Sequence, residues 1–163
     1  MFRTLAVVGV ILIAIIVVNY RAPDDPVKQI DPAPLARQVA AVAPFPVLMP
    51  TDPGWRPTAT RWDQTQESDA ALVWYVGGVY GPDGPFASLT QSVADSPEYL
   101  REQTRDGKPA GAVPGAAWQR FESASGDRSL VLAADGQTTI VAGTGSWEDL
   151  QRFAGSLVPV SVN

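Results

Sequence analysis

The stretch AALVWYVGGVYGPDGPFASLTQSV, residues 70–93, holds two apolar segments on either side of a short turn. Ala70 to Val79 is rich in β-branched and aromatic residues, Gly81 to Gly84 reads Gly-Pro-Asp-Gly, and Phe86 to Val93 is again strand-like. This pattern predicts two strands joined by a tight turn. The strands must be antiparallel, because a parallel crossover needs about a dozen residues or more.

The chain on either side extends this pattern. Trp55 to Trp62 predicts a strand before the stretch, and the polar residues Gln64 to Asp69 predict the turn that joins the two. After the stretch, Asp95 and Glu98 stand at capping-box spacing with Pro97 between them, which predicts the start of a helix. We therefore predict three strands followed by a helix.

The second half of the chain is predicted to repeat this βββα order. The turns Asp83-Gly84 and Asp135-Gly136 are offset by 52 residues, and the helix starts at Ser96 and Ser146 are offset by 50. The predicted strands are Ala117 to Glu122, Ser129 to Ala133 and Thr138 to Gly143. The last helix, capped by Ser146, has one apolar face formed by Trp147, Leu150, Phe153, Ala154 and Leu157. Chance similarity between two short meanders is the alternative to a repeat.

The predicted fold class is α+β, with a mostly antiparallel sheet of about six strands and helices packed on one of its faces. Leu35 to Ala43 predicts a further short amphipathic helix, and Val47 to Met49 an edge strand. Asp106 to Gly115, rich in Gly and Pro, is predicted to be a surface loop between the two units. Val158 to Val162 predicts a last edge strand.

The amino-terminal run TLAVVGVILIAIIVVNY, Thr4 to Tyr20, is uninterrupted by charge and bracketed by Arg3 and Arg21. At 1.5 Å of rise per residue it covers roughly 25 Å, near the short end of what spans a bilayer. We predict a transmembrane signal anchor over residues 1–20, a proline-rich tether over 21–34, and one domain over 35–163. A cleaved signal peptide is the alternative, but small residues at the cleavage positions are missing after the run. The early position of the run favours a cytoplasmic amino terminus and an extracytoplasmic domain.

The composition excludes several classes of function. The chain has no cysteine and no histidine, which rules out disulfides, thiol and Ser-His-Asp catalysis, and sulfur or imidazole metal sites. After the anchor, 11 basic and 17 acidic side chains give a net charge of −6. Nucleic acids and anionic lipid surfaces need a basic footprint, so neither is an expected partner. No cofactor and no metal is expected.

Three sets of polar residues are candidates for sites of chemistry. Asp24 and Asp25 lie in the tether and are interpreted as solvated charge. Glu148 and Asp149 lie in the first turn of the last helix, where they complement its dipole. Gly143-Thr-Gly-Ser146 leads into a helix amino terminus that can hold an anion, but it meets neither the phosphate-loop nor the dinucleotide pattern. We interpret it as a turn with a serine cap.

Aromatic residues and arginines are the remaining candidates. Filling of the core is the favoured interpretation of the aromatics, and an aromatic groove for sugar or peptide is the alternative. Arg61, Arg120 and Arg128 fall at strand positions and are predicted to line the solvent face of the sheet. The aromatic residues concerned are Trp55, Trp62, Trp74, Trp118, Trp147, Tyr75, Tyr80 and Tyr99.

Together, the apolar anchor, the tether and several motifs resemble an actinobacterial family of single-pass membrane proteins known as domain of unknown function 4245. The most specific motifs are Pro53-Gly-Trp-Arg-Pro57 and Trp118-Gln-Arg-Phe-Glu122, and the Asp-Gly hairpins and the closing VAGTGSWEDLQRFAGSL add order and spacing. The resemblance covers nearly the whole chain. It implies a location in the envelope and a single-pass topology, and it implies no catalytic residues.

The leading expectation is a membrane-anchored, extracytoplasmic, non-enzymatic binding module of the actinobacterial cell envelope. Its expected partners are the bilayer, through the amino-terminal helix, and an envelope protein. The first alternative is a small-ligand or lipid carrier with an apolar pocket. The second is an enzyme limited to carboxylate or Ser-Lys chemistry, in which Lys108 would lie beside a serine. The sequence identifies no catalytic residue and leaves the ligand-binding residues unknown.

Overall fold

The structure, a computed structural model, describes residues 28–64, 72–81, 83–93 and 95–161. The predicted anchor over residues 1–20, residues 21–27 of the predicted tether, and residues 65–69 of the predicted Gln64–Asp69 turn lie outside these ranges. Across the described ranges, no helix is long and apolar enough to cross a membrane.

The described residues form three helices and nine strands. Helix α1 and strand β1 precede the first predicted unit, and a short strand β9 follows the last helix. In chain order the elements are α1 (Ala33–Ala40), β1 (Leu48–Pro50), β2 (Trp55–Gln64), β3 (Leu72–Tyr80), β4 (Phe86–Ser92), α2 (Pro97–Gln103), β5 (Lys108–Ala112), β6 (Gln119–Glu122), β7 (Arg128–Ala134), β8 (Gln137–Gly143), α3 (Trp147–Gly155) and β9 (Leu157–Pro159).

Seven strands form one antiparallel sheet in the order β2-β3-β4-β8-β7-β6-β5. The third strands of the two predicted units, β4 and β8, pair at its centre, and the other strands follow outward in mirrored order. Asp135 and Gly136 both have positive φ, 53° and 74°, in the two-residue turn between β7 and β8, as a type I′ hairpin requires. The antiparallel sheet and the α+β fold class are therefore confirmed.

One face of this sheet, which we name the closed face, holds the main core. Trp74, Leu89, Leu130 and Val141 point to it from β3, β4, β7 and β8, and each is 0% exposed. Helices α1 and α3 and the β1–β9 pair cover it. Phe153 of α3 packs edge-on against a tryptophan of β2, with ring centroids 5.4 Å apart. This face supplies most of the apolar burial that stabilises the fold.

The opposite face of the sheet, which we name the open face, is covered only in part. Helix α2 packs here through Tyr99, which forms a small second cluster with Val131 and Ile140. Val131 alternates along β7 with Leu130, which faces the closed side, and successive strand residues point to opposite faces. The prediction that the helices pack on one face is therefore wrong for α2. The strands repeat around the centre of the sheet, but the helices do not.

Three details of the elements also differ from the predictions. The predicted surface loop Asp106–Gly115 contains β5, an edge strand with all five side chains exposed and a register irregularity between Pro109 and Ala112. Helix α1 begins at Ala33 rather than Leu35. The cap of α2 is Ser96, whose hydroxyl accepts the Tyr99 N–H, and not the predicted Asp95.

Candidate functional site

A cleft of about 340 Å³ lies on the open face, over the centre of the sheet and beside the end of α2. Its floor comes from three adjacent strands. Ser88 of β4, Ala142 of β8 and Ser129 of β7 are direct cross-strand partners, and Thr90 and Ile140 form the next row. Small and hydroxyl side chains at the centre of a sheet leave room above it, which is why this face is not filled as the closed face is.

Two aromatic rings form one wall of the cleft. Tyr75 of β3 and Phe86 of β4 meet above Gly77. A Cβ atom at position 77 would lie 2.5 Å from the Tyr75 hydroxyl oxygen and 3.1 Å from the Phe86 ring. Because Gly77 has no side chain, both rings can pack closely over this strand. Arg61 of β2 stacks on the Tyr75 ring, 4.5 Å from its centroid, and so holds it in place.

The other wall comes from the end of α2 and the turn before β7. Arg105 pairs with Asp127 at 3.1 Å, and the hydroxyl of Ser125 donates to the same carboxylate at 2.6 Å. The Ser125 hydroxyl first, and then Arg105 and the hydroxyl of Ser123, hold the pKa of Asp127 below its ordinary value. The carboxylate thus stays ionised, and the turn is tied to α2 across the rim of the cleft.

The backbone at this rim is in an uncommon conformation. Arg105 and Asp106 are consecutive non-glycine residues with positive φ, 55° and 57°, which costs conformational energy and persists where the surroundings enforce it. The Arg105–Asp127 pair and a second pair between Arg101 and Asp106, at 3.4 Å, hold the segment. This strained backbone conformation places Arg105 at the rim of the cleft.

The chemistry of the cleft is that of hydrogen bonding. Serine and threonine hydroxyls act as both donors and acceptors, and the Ser88 hydroxyl donates to the Ala142 carbonyl at 3.3 Å, which leaves its oxygen free to accept. Gln103 and Glu102 add an amide and a carboxylate from α2. Among the described residues, no group of three acidic side chains is placed to hold a metal ion.

The tryptophans do not form the aromatic groove that was the alternative to core filling. Trp55 and Trp74 belong to the core on the closed face, where their indole N–H groups donate to Ala87 and Leu48 carbonyls. The remaining three tryptophans, Trp62, Trp118 and Trp147, pack against the same core. Filling of the core is the interpretation that these contacts support.

The three strand arginines are divided between the two faces. Arg61 is exposed on the open face, beside the cleft, where it also pairs with Asp63 at 3.0 Å. Arg120 and Arg128 point to the closed side and stack on Trp147, 5.3 and 5.7 Å from its ring. The prediction that all three line the solvent face is therefore correct for Arg61 only.

The groups of the Gly143–Ser146 turn are used within the fold. The Thr144 hydroxyl accepts the Phe86 N–H, and the Gly145 carbonyl accepts from Arg128. The Ser146 hydroxyl accepts the Asp149 N–H, and Asp149 accepts from the Ser146 N–H in return. The hydroxyl and backbone N–H of Ser146 lower the pKa of Asp149, with a further contribution from an arginine of α3. This is the turn and serine cap that the sequence predicts.

Asp24 and Asp25 lie outside the described residues. The other candidate positions lie apart from the cleft. Lys108 is exposed on β5, in register with Glu122 of β6. Glu148 is exposed in the first turn of α3.

The cleft itself was missed by sequence reasoning. A signal for it is present in Gly77-Gly78, because glycine inside a strand often marks close approach by another group. Gly77 faces the cleft, whereas Gly78 lies under Trp55 on the closed face. A second signal is the alternation of hydroxyls in Ser88, Thr90 and Ser92 along β4.

The chain belongs to a family described as Protein of unknown function (DUF4245), whose model matches residues 1–157. This confirms the family resemblance drawn from the tryptophan-containing motifs. No curated protein and no solved structure matches the chain. A function for the cleft is therefore argued from its own geometry.

Proposed function

We propose that this chain is a single-pass, membrane-anchored binding module of the cell envelope, with a cytoplasmic amino terminus, an extracytoplasmic domain and no enzymatic activity. The apolar run Thr4–Tyr20 and the proline-rich segment after it support the anchoring. The family resemblance supports an actinobacterial envelope as its place, and the acidic net charge argues against nucleic acid as a partner.

The observation that supports a binding role is the contrast between the two faces of the sheet. The closed face is filled by tryptophan, leucine and valine side chains, whereas the central strands of the open face present small hydroxyl residues beneath a cleft. A sheet that needed only stability would gain by filling that space with apolar side chains. The open cleft is therefore the surface we propose for the partner or ligand.

A lipid carrier is the second candidate, and one feature favours it. A hollow of about 420 Å³ beside α1 is lined mainly by apolar side chains, among them Ala36, Met49 and Val160. Native mass spectrometry of the full chain, extracted in detergent, distinguishes the two candidates. A lipid that copurifies at one per chain and is lost in Met49→Lys would favour the carrier over the binding module.

Photo-crosslinking in cells tests the binding role. Gln103 lies on the rim of the cleft, so replacing it with p-benzoylphenylalanine is expected to give adducts to a partner or envelope component after irradiation. The matched control places the same group at Val42, which is 64% exposed near the end of α1 and is expected to give little adduct.

Equal adducts at both positions, or adducts at Val42 alone, would contradict the cleft as the binding surface. Turnover of cell-wall, ester or phosphate substrates by the full chain would contradict the non-enzymatic role. A phosphatase reporter fused to the carboxyl terminus is expected to be active outside the membrane, and activity confined to the cytoplasm would contradict the orientation.

A further inference from the structure

We infer that the cleft on the open face binds a neutral carbohydrate unit. The inference rests on the proposed binding role and names the ligand class of the same site. It follows from four properties of the cleft: its aromatic wall, its hydroxyl floor, its lack of excess positive charge and its position over interior strands.

The aromatic wall supplies a surface on which a sugar ring can stack. Tyr75 and Phe86 lie over Gly77, and Arg61 stacks on the Tyr75 ring at 4.5 Å from its centroid. Aromatic rings give large, rigid contact areas with little loss of side-chain entropy. The apolar C–H face of a pyranose fits such a surface, because it is flat and has a similar width.

The floor supplies partners for sugar hydroxyls. Ser88, Thr90 and Ser129 present hydroxyl groups from neighbouring strands, and each can both donate and accept a hydrogen bond. A sugar hydroxyl has the same dual character, so the two sets can pair without leaving a polar group unsatisfied. A lipid chain would offer these hydroxyls no hydrogen-bond partner.

The cleft carries no excess of positive charge. Its charged side chains are Glu102, Asp127 and Arg105, because the side chain of Arg128 points to the closed side, where it pairs with Glu122 at 3.5 Å. Arg105 and Asp127 neutralise each other at 3.1 Å, which leaves the single carboxylate of Glu102. The site therefore offers no positive charge to attract a phosphate.

The position of the cleft favours a sugar over an extended peptide. Strands β4, β7 and β8 are interior strands, and their backbone groups are already paired within the sheet. A peptide bound as an added strand needs a free sheet edge, which these strands do not offer. Recognition here must use side chains alone, and the volume of about 340 Å³ is at the small end of ligand pockets, suited to one or two sugar rings.

Calorimetry and amide NMR on the full chain test the inference. The chain is held in phosphocholine detergent, which has no sugar head group, and is titrated with maltose, cellobiose and chitobiose. At least one disaccharide is expected to bind and to shift the amide resonances of Ser88, Thr90 and Ser129. Glucose 6-phosphate and trialanine serve as the charged and the peptide probes.

Four substitutions make the test specific. Ala142→Leu fills the floor and is expected to weaken binding more than about tenfold, whereas Ala133→Leu, the same change at an exposed position of β7, is expected to leave binding unchanged. Tyr75→Ala is expected to cost about tenfold through loss of the ring contact. Tyr75→Phe keeps the ring and is expected to cost about threefold.

Three results would overturn the inference: no binding of any disaccharide at millimolar concentration, tighter binding of glucose 6-phosphate or trialanine, or equal effects of Ala142→Leu and Ala133→Leu. If Ala142→Leu fails to fold, as judged by circular dichroism, the Tyr75 pair decides. Crosslinks from Gln103 that persist without any sugar binding would leave the proposed binding role standing and the carbohydrate inference refuted.

Discussion

Ser96 and Ser146 begin the second and third helices, and each accepts a backbone N–H three residues on, at 3.2 Å in both cases. Of the two, only Ser146 has a full capping box, because its backbone N–H donates to the Asp149 carboxylate at 2.9 Å. We expect Ser146→Ala to lower the free energy of unfolding by about 1–2 kcal/mol and Ser96→Ala by about 0.5–1 kcal/mol. Chemical denaturation checks both, with the exposed Ser161→Ala as the neutral control.

The pH dependence of the Ser146→Ala effect gives a sharper check. The pKa of Asp149 is lowered in the folded protein, so its contribution is present above the ordinary value near 3.9 and is lost as the pH falls through the lower folded value. The difference between wild type and Ser146→Ala should therefore shrink between pH 4 and roughly pH 2.5. An equal difference at both values would mean that the capping box does not form.

At the scale of elements, Gln91 joins strand β1 to the sheet. Its side chain is fully buried, accepts the Leu48 N–H at 2.8 Å and donates to the Pro46 carbonyl at 3.1 Å. Gln91→Leu would leave the half-buried Leu48 N–H without its partner, at roughly 1–3 kcal/mol, whereas the carbonyl of the exposed Pro46 can turn to water. We expect a loss of about 1–3 kcal/mol in thermal or urea unfolding.

A matched control for this prediction is Gln119→Leu, the same change at an exposed position of β6, which should alter stability by less than about 0.5 kcal/mol. A neutral Gln91→Leu would show that β1 is held to the sheet by its apolar contacts and not by this side chain.

The elements also show how far local sequence signals reach. Both Asp-Gly turns, eight of the nine described strands and the three helices follow from composition and periodicity, because these features depend on near neighbours. Strand β5 was missed because Lys108–Ala112 combines Pro and Gly with five exposed side chains, which is a typical loop composition. The face of the sheet on which α2 packs was mispredicted. Tyr99 of α2 contacts Val131 of β7 and Ile140 of β8, and only the strand order of the folded sheet brings these residues together.

At the scale of the whole molecule, one face of the sheet holds the core and the other holds the cleft. The closed face buries the tryptophans and two helices, and the open face presents Ser88, Ala142 and Ser129 side by side under the cleft. Ser88 lies 54 residues before Ala142 and 41 residues before Ser129 in the chain, so no short sequence window contains the site. Filling of the core by tryptophan could be predicted from residue type alone. The cleft could not, because it depends on which strands pair in the sheet.

The absence of cysteine from the chain makes the difference between the two faces directly measurable. Val141 and Ala142 are consecutive residues of β8, and Val141 is 0% exposed on the closed face while Ala142 lines the cleft. Single cysteines at these positions, Val141→Cys and Ala142→Cys, can be labelled with a small charged methanethiosulfonate in the native full chain.

The labelling rates of the two cysteines test whether the open face of the sheet has an accessible cleft while the closed face is packed. We expect Ala142→Cys to react at least about a hundredfold faster than Val141→Cys, because the buried position reacts only through unfolding. Equal rates, or faster labelling of Val141→Cys, would contradict the account.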